Sequence, residues 1–221
     1  QAPQHGATPL YIACHKGHVD IARLLLEASA ATDQAGADGA TPLCIACKQG
    51  HLEVARLLLE AGAAVSQASN QGATPLLMAC HFGHLEVAKL LSSYGASRAA
   101  TPFGTPEEVA TEEGHADLAA WLVASRGWTP LAHLETLTAA RALSLLRSGA
   151  SLHEGEPTPL QRAAGGEGEA AALIRRAAAP WSPASHSLFP AAARARAALL
   201  VLSIYEIHER HHLDSWSLLM P

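Results

Sequence analysis

Two histidines near the C-terminal end of the chain have the spacing of a zinc-hydrolase motif. His208, Glu209 and His212 satisfy the pattern H-E-x-x-H, which on a helix places both imidazoles on one face with the carboxylate beside them. Such motifs carry apolar residues at the two central positions, whereas Arg210 and His211 are polar. With 13 histidines in the chain, chance and adventitious zinc or nickel binding are the alternatives to hydrolysis. We predict no catalytic residue, no metal site and no cofactor.

Two cysteines have the spacing of a redox-active dithiol. Cys44 and Cys47 form a C-x-x-C pair, but redox pairs place their thiolate at an exposed helix N-terminus, and this pair falls inside a helical pattern. Cys14, Cys47 and Cys80 also recur at intervals of 33 residues. We therefore predict that these thiols are core side chains. Four cysteines without a signal-like start favour a reducing compartment, either cytoplasmic or nuclear.

Composition argues against several other classes of function. A formal charge of −5 and a pI near 6.2 give no net attraction to phosphate backbones, so we predict no nucleic-acid binding. The longest apolar stretch, from Ala197 past Ser203 to Tyr205, is shorter than the roughly 20 residues of a membrane helix, which predicts no membrane span. Gly165–Gly168 lacks the Lys and the preceding strand of a phosphate-binding loop.

A repeated triplet indicates which elements position these residues. Thr-Pro-Leu occurs at Thr8, Thr41 and Thr74, at intervals of 33 residues. Thr is a suitable N-cap and Pro suits the first helical position, so each triplet predicts a helix start. In the second copy this helix should end at Gly50, and Leu52–Glu60 has the apolar spacing of a second helix. One helix pair cannot bury its apolar face alone, so the copies must stack.

Two further features recur with the triplet. A Gly-His pair precedes each second helix, and equivalent positions of a stack are too distant to share a metal ion, so we predict hydrogen bonds between repeats for His18, His51, His84 and His115. Ser29 stands where Gly62 and Gly95 close the other second helices. In a left-handed backbone a non-glycine residue costs about 1 kcal/mol, which predicts a looser first repeat.

These residues together resemble the ankyrin-repeat family over roughly residues 5–97. The pattern is similar to that family's T-P-L-H-x-A, G-H and L-L-x-x-G-A signature. The resemblance implies an all-α fold, an ankyrin solenoid of helix hairpins with short β-turn hairpins. The family's His after Thr-Pro-Leu is replaced by Tyr11, Cys44 and Leu77, which predicts the loss of a hydrogen bond within the turn. Because the chain enters a repeat soon after Gln1, we expect a repeat or domain to precede it.

The later copies are less regular. Thr-Pro recurs after 31, 24 and 29 residues, at Thr105, Thr129 and Thr158. We predict four ankyrin repeats over residues 1–125, the first truncated at its start, and degenerate ankyrin-like helical repeats over residues 126–179. The fifth copy should connect directly to the fourth, without a hairpin, and Gly165–Gly168 should form the loop between the helices of the sixth.

Residues 180–221 are predicted to form a C-terminal helical cap or tail. A helix from about Ala191 to His211 would cover the apolar face that the last repeat of a stack exposes. The alternative is a SOCS-box-like tail, which implies an ubiquitin-ligase substrate receptor. Ser187 and Leu188 loosely fit that box, but Ala192 stands where its Cys should be and Pro190 interrupts its helix.

The ankyrin resemblance also implies a surface for a partner protein. Partners of this family dock on the hairpin tips and on the ends of the first helices, where this sequence changes from basic to acidic with an aromatic between. Phe82 is expected to be exposed and to anchor the partner. We therefore predict a monomeric, non-enzymatic scaffold whose partner-binding residues are His15, Lys16, Asp38, Lys48, Gln49, Asn70, Gln71, His81, Phe82, Glu112 and Glu113.

Overall fold

The computed structural model describes residues 7–179 and 186–195, and its regular secondary structure over those residues is helical. An isolated β-bridge joins Thr101 and Gly104. The chain divides into two compact units, one of Gln1–Leu137 with Gly155–Thr158 and one of Thr138–Glu154 with Pro159–Pro221. The predicted all-α fold class is confirmed.

The first unit contains four stacked helix pairs. Their first helices are α1 (Pro9–Lys16), α3 (Pro42–Gln49), α5 (Pro75–His81) and α7 (Pro106–Glu112). Their second helices are α2 (Val19–Glu27), α4 (Leu52–Glu60), α6 (Leu85–Ser93) and α8 (Ala116–Ala124). The bounds of α3 and α4 agree with the sequence prediction.

The helix ends follow from the residues that flank them. The hydroxyls of Thr8, Thr41 and Thr74 accept hydrogen bonds of 3.1–3.2 Å from the backbone N–H groups of Tyr11, Cys44 and Leu77. Proline occupies the first turn each time. The replaced family histidine therefore leaves the N-cap bond in place. Gly50, with a φ of 74°, ends α3 in the left-handed conformation, as predicted.

Small and branched apolar side chains form the core between these helices. In α4 the buried face consists of Val54, Ala55, Leu58 and Leu59, which repeats every third or fourth residue. The side chains of Cys14, Cys47 and Cys80 are fully buried among them. The prediction that these thiols are core residues is confirmed.

The Gly-His pairs join successive repeats. Ring Nε2 of His51, His84 and His115 lies 3.1–3.3 Å from the backbone carbonyl oxygens of His15, Lys48 and His81 in the preceding repeat. The tautomer with a proton on Nε2 donates this bond. A Cβ atom at Gly50 would lie 2.6 Å from the ring of His84, so the glycine also makes room for the histidine. The predicted hydrogen bonds between repeats are confirmed for these three histidines.

The fourth and fifth copies differ from the first three. In the fourth, Thr105 and Glu108 form a reciprocal capping box at the start of α7. In the fifth, Pro130–Ala132 forms a short 3-10 turn instead of a first helix, and the hydroxyl of Thr129 caps nothing. The fifth Thr-Pro-Leu site therefore does not start a full helix. The aromatic rings of Trp121, Trp128 and His133 pack together at this point.

The second unit contains α9 (Ala139–Arg147), α10 (Pro159–Gly165) and α11 (Glu169–Ala178). Helix α11 packs against both α9 and α10. Helices α10 and α11 form the helix pair of the sixth copy. The loop between them is residues 166–168, one residue shorter than predicted because Gly165 belongs to α10. The division into domains at residues 125 and 179 remains a prediction.

The predictions for the tail fall mainly outside the described residues. Residues 191–195 are helical, at the start of the predicted terminal helix. The H-E-x-x-H pattern at 208–212 and most of the SOCS-box-like segment lie outside residues 7–179 and 186–195. Over the part of the chain that the structure describes, the helices fall short of the length and apolarity needed to cross a membrane.

Candidate functional site

A groove runs along the first unit, between the ends of the first helices and the hairpin turns. It consists of three depressions of about 550, 380 and 350 Å³ that share lining residues and therefore adjoin. Tyr11, Asp38 and Lys48 border both the first and the second depression, and Gln71 and His81 border both the second and the third. We call these three depressions the groove.

The groove brings together most of the predicted partner-binding residues. Nine of them line it, namely His15, Lys16, Asp38, Lys48, Gln71, His81, Phe82, Glu112 and Glu113. Gln49 is exposed beside Lys48 but does not line the groove. Asn70 does not line it either, and its side chain is engaged in holding two hairpins together.

Hydrogen bonds between neighbouring turns fix the rim of the groove. The side-chain amide nitrogen of Asn70 donates to the backbone oxygen of Ala37 at 3.2 Å, and the backbone N–H of Asn70 donates to the backbone oxygen of Asp38 at 3.0 Å. The carboxylate of Asp38 accepts from the N–H of Ala40 at 3.0 Å. A Cβ atom at Gly39 would collide with Asn70, so this turn requires the glycine. The turns are therefore positioned by the backbone before any partner binds.

Phe82 lies at the centre of the groove. The residue is 42% exposed, as predicted for this position. The rest of the ring is supported by its neighbours: His81 packs edge-on at 4.7 Å between ring centroids, His84 stacks at 6.5 Å, and Lys48 Nζ lies 5.7 Å from the ring centroid. His84 is in turn bonded to the backbone of Lys48. The exposed ring thus has neighbours on three sides.

The two ends of the groove carry opposite charges. The first depression includes Lys16 and Lys48, together with the half-buried Tyr11. Burial and the nearby Asp38 carboxylate raise the pKa of the Tyr11 phenol above its ordinary value. The third depression includes Glu112 and Glu113. The acidic end and the basic end are separated by the apolar and aromatic surface around Phe82.

A small apolar cluster lies beneath the acidic end. Ala73, Leu77 and Val109 are buried together, with Met78 packed against them. Leu77 occupies a position at which the ankyrin family has its histidine, so this substitution has exchanged a polar site for an apolar one. The exposed ring of Phe103, which sequence reasoning did not select, borders the same depression.

The thiols in and near the groove are poor nucleophiles. Burial raises the pKa of Cys44 to about 11 and that of Cys14 and Cys80 to about 12, which leaves them protonated at neutral pH. Cys44 and Cys47 both lie within α3, where no disulfide joins them. Within the described residues, no group of three or more His, Cys, Asp or Glu side chains could hold a metal ion.

Stacked helix pairs, capping threonines and a groove along the first helices define a helical repeat protein. A family model of ankyrin repeats in three copies matches residues 1–69, and one of a single ankyrin repeat matches residues 71–101. Residues 1–101 are therefore ankyrin repeats. Ankyrin repeats serve generally as protein-interaction modules. No curated protein matches the sequence significantly.

Proposed function

We propose that the chain is a non-enzymatic scaffold that binds another protein along the groove, with Phe82 as the anchor. The observation that carries the proposal is an exposed aromatic ring at the centre of a groove, with His81, His84 and Lys48 beside it. Aromatic anchors at the centre of an interface often contribute most of the binding energy. A ring that is already oriented loses little conformational entropy when the partner docks.

The same reasoning gives the other partner-facing residues their roles. Lys16 and Lys48 would contact acidic groups of the partner, Glu112 and Glu113 basic groups, and Asp38 and Gln71 would form the polar rim. Four buried free thiols support a reducing cytoplasmic or nuclear location. We propose that the chain is a monomer when free. The metallohydrolase alternative depends on residues outside the described part of the chain, most of the segment behind the ligase-receptor alternative also lies outside it, and no observation favours either.

Truncation of the anchor tests the proposed function. We expect Phe82→Ala to weaken partner binding by about 1–3 kcal/mol, the usual range for an interface anchor, because the ring makes few core contacts. The measurement is quantitative affinity capture with the full chain as bait, followed by a dissociation constant for each captured protein. The melting temperature of the variant should match that of the wild type.

Val123→Ala provides the matched control. Val123 is also exposed and apolar, but it lies on α8 and does not line the groove. We expect this variant to capture the same proteins as the wild type. If Phe82→Ala captures them equally well, the ring is not the anchor and the proposed function is wrong in its central point.

A further inference from the structure

We propose that the third depression of the groove binds a segment in which a large apolar side chain lies next to Lys or Arg. This inference rests on the proposed function and adds the chemistry of the partner at one end of the groove. The depression is lined by Leu77, Met78, Phe103, Val109 and Glu112, among others.

The apolar half of this site is shaped by a rigid turn. The hydroxyl of Thr101 donates to the backbone oxygen of Gly104 at 3.0 Å, and the N–H of Phe103 donates to the Thr101 hydroxyl at 3.1 Å. These bonds fix the backbone of the turn that carries Phe103, a residue that is 51% exposed and borders the depression. The depression, of about 350 Å³, has Met78 and Val109 in its lining. It has the size and the apolar lining to accept a Leu, Ile, Met or Phe side chain.

The charged half of the site is selective for a cation. Glu113 already pairs with His81, since its carboxylate lies 2.9 Å from the ring Nδ1. Glu112 is exposed, and among the described residues its carboxylate has no ion pair and no side-chain hydrogen bond. The lining of this depression includes no Lys or Arg. A partner Lys or Arg would therefore supply the charge that Glu112 lacks.

The neighbouring acids do not compete for that cation. Glu107 faces Arg126 at 3.4 Å, and Glu108 accepts from the N–H of Thr105 at 2.7 Å as part of the capping box. At the other end of the groove, Lys16 and Lys48 would repel a uniformly basic segment. The partner segment is therefore basic near its apolar anchor in the third depression and neutral or acidic beyond Phe82.

Peptide selection against the full chain tests this inference. A displayed library of random peptides is selected on the wild-type protein, and the enriched sequences are synthesised for titration by fluorescence anisotropy. We expect enrichment of Lys or Arg next to Leu, Ile, Met or Phe. Glu112→Lys should weaken binding by about 10-fold or more, because an attraction between opposite charges becomes a repulsion between like charges, and Phe103→Ala by about 5- to 30-fold.

Glu60→Lys is the matched control for the charge reversal. Glu60 and Glu112 are the last residues of α4 and α7, where a lysine is favourable to the helix, so both variants should fold as the wild type does. Glu60 does not line the groove, and its variant should bind within about twofold of the wild type.

The outcomes separate this inference from the proposed function. Two outcomes would overturn the inference and still support the groove as a binding site. In the first, the enriched peptides lack basic residues. In the second, they bind Glu112→Lys as well as the wild type while Phe82→Ala abolishes their binding. Failure to enrich any peptide, or binding that is unchanged in both Phe82→Ala and Phe103→Ala, contradicts the two proposals together.

Discussion

Cys14, Cys44, Cys47 and Cys80 show how the position within a repeat decides the chemistry of a side chain. All four are buried in the first helices of the repeats, and burial raises their pKa values because a thiolate loses its hydration there. The C-x-x-C spacing that suggests redox chemistry is therefore a consequence of helical packing. Cys44 differs from the other three in one respect, since it also lines the groove.

Thiol reactivity should report this burial directly. At pH 8 a thiol with a pKa of about 11 carries about 100-fold less thiolate than one at the usual 9.0, so we expect the native chain to react with an aromatic disulfide at least about 100-fold more slowly than the unfolded chain. Cys44 should react first, and Cys44→Ser should remove the fastest phase. If all native thiols react as fast as the thiols of the chain unfolded in guanidinium, the four cysteines are not buried in solution.

At the scale of single elements, the type of residue that follows each second helix decides whether the backbone there is strained. Ser29 adopts a φ of 62°, while Gly62 and Gly95 at the equivalent positions have φ values of 88° and 80°. The left-handed conformation is costly for a residue with a Cβ atom. A Cβ atom at Gly62 would have no heavy atom within 4 Å, so a substitution there changes conformational energy alone.

Exchanging these two residues should shift stability in opposite directions. We expect Ser29→Gly to raise the free energy of unfolding by about 0.5–1 kcal/mol and Gly62→Ser to lower it by a similar amount, because each change removes or adds one strained left-handed residue. Urea titrations of the two variants and the wild type measure both effects. A loss of stability in Ser29→Gly would mean that the serine side chain makes a favourable contact that offsets its strain.

The sequence predicts most element boundaries because capping residues act locally. The Thr-Pro pairs at Thr8, Thr41, Thr74 and Thr105 start helices through a hydroxyl that bonds an N–H three residues later. Thr129 is also followed by proline but starts only a 3-10 turn. There the rings of Trp121, Trp128 and His133 pack together, and the next helix takes its N-cap from Thr138 instead.

The candidate site is predictable to the extent that the repeat frame fixes which positions are exposed. Phe82 follows from its position before Gly83, and the structure places it in the groove. Phe103 does not follow, because it lies in the shortened turn between Thr101 and Gly104 where the frame is interrupted. The engagement of Asn70 with Ala37 is also missed, since it depends on the approach of two hairpins.

At the scale of the whole molecule, the repeats of the first unit differ in how much of their surface is covered. Ile21 is 49% exposed, whereas Val54 and Val87 at the equivalent positions of the second and third repeats are buried. Helix α2 buries only Ala22 fully, and Leu24 is 65% exposed. Among the described residues the first repeat packs against a neighbouring repeat on one side only, so it buries less interface there than the second and third repeats do.

This difference should appear as a gradient of local stability along the first unit. We expect backbone amides of α2 to exchange with solvent at least about tenfold faster than those of α4 and α6, because fewer buried contacts must open. Hydrogen exchange with fragment-resolved mass spectrometry measures the gradient.

A pair of substitutions checks its cause: Val54→Ala should lower the free energy of unfolding by about 2 kcal/mol through the loss of buried methyl groups, and Ile21→Ala by less than about 1 kcal/mol. Equal protection of α2 and α4, together with equal effects of the two substitutions, would mean that in solution the exposed side of the first repeat is covered, which the described residues do not do.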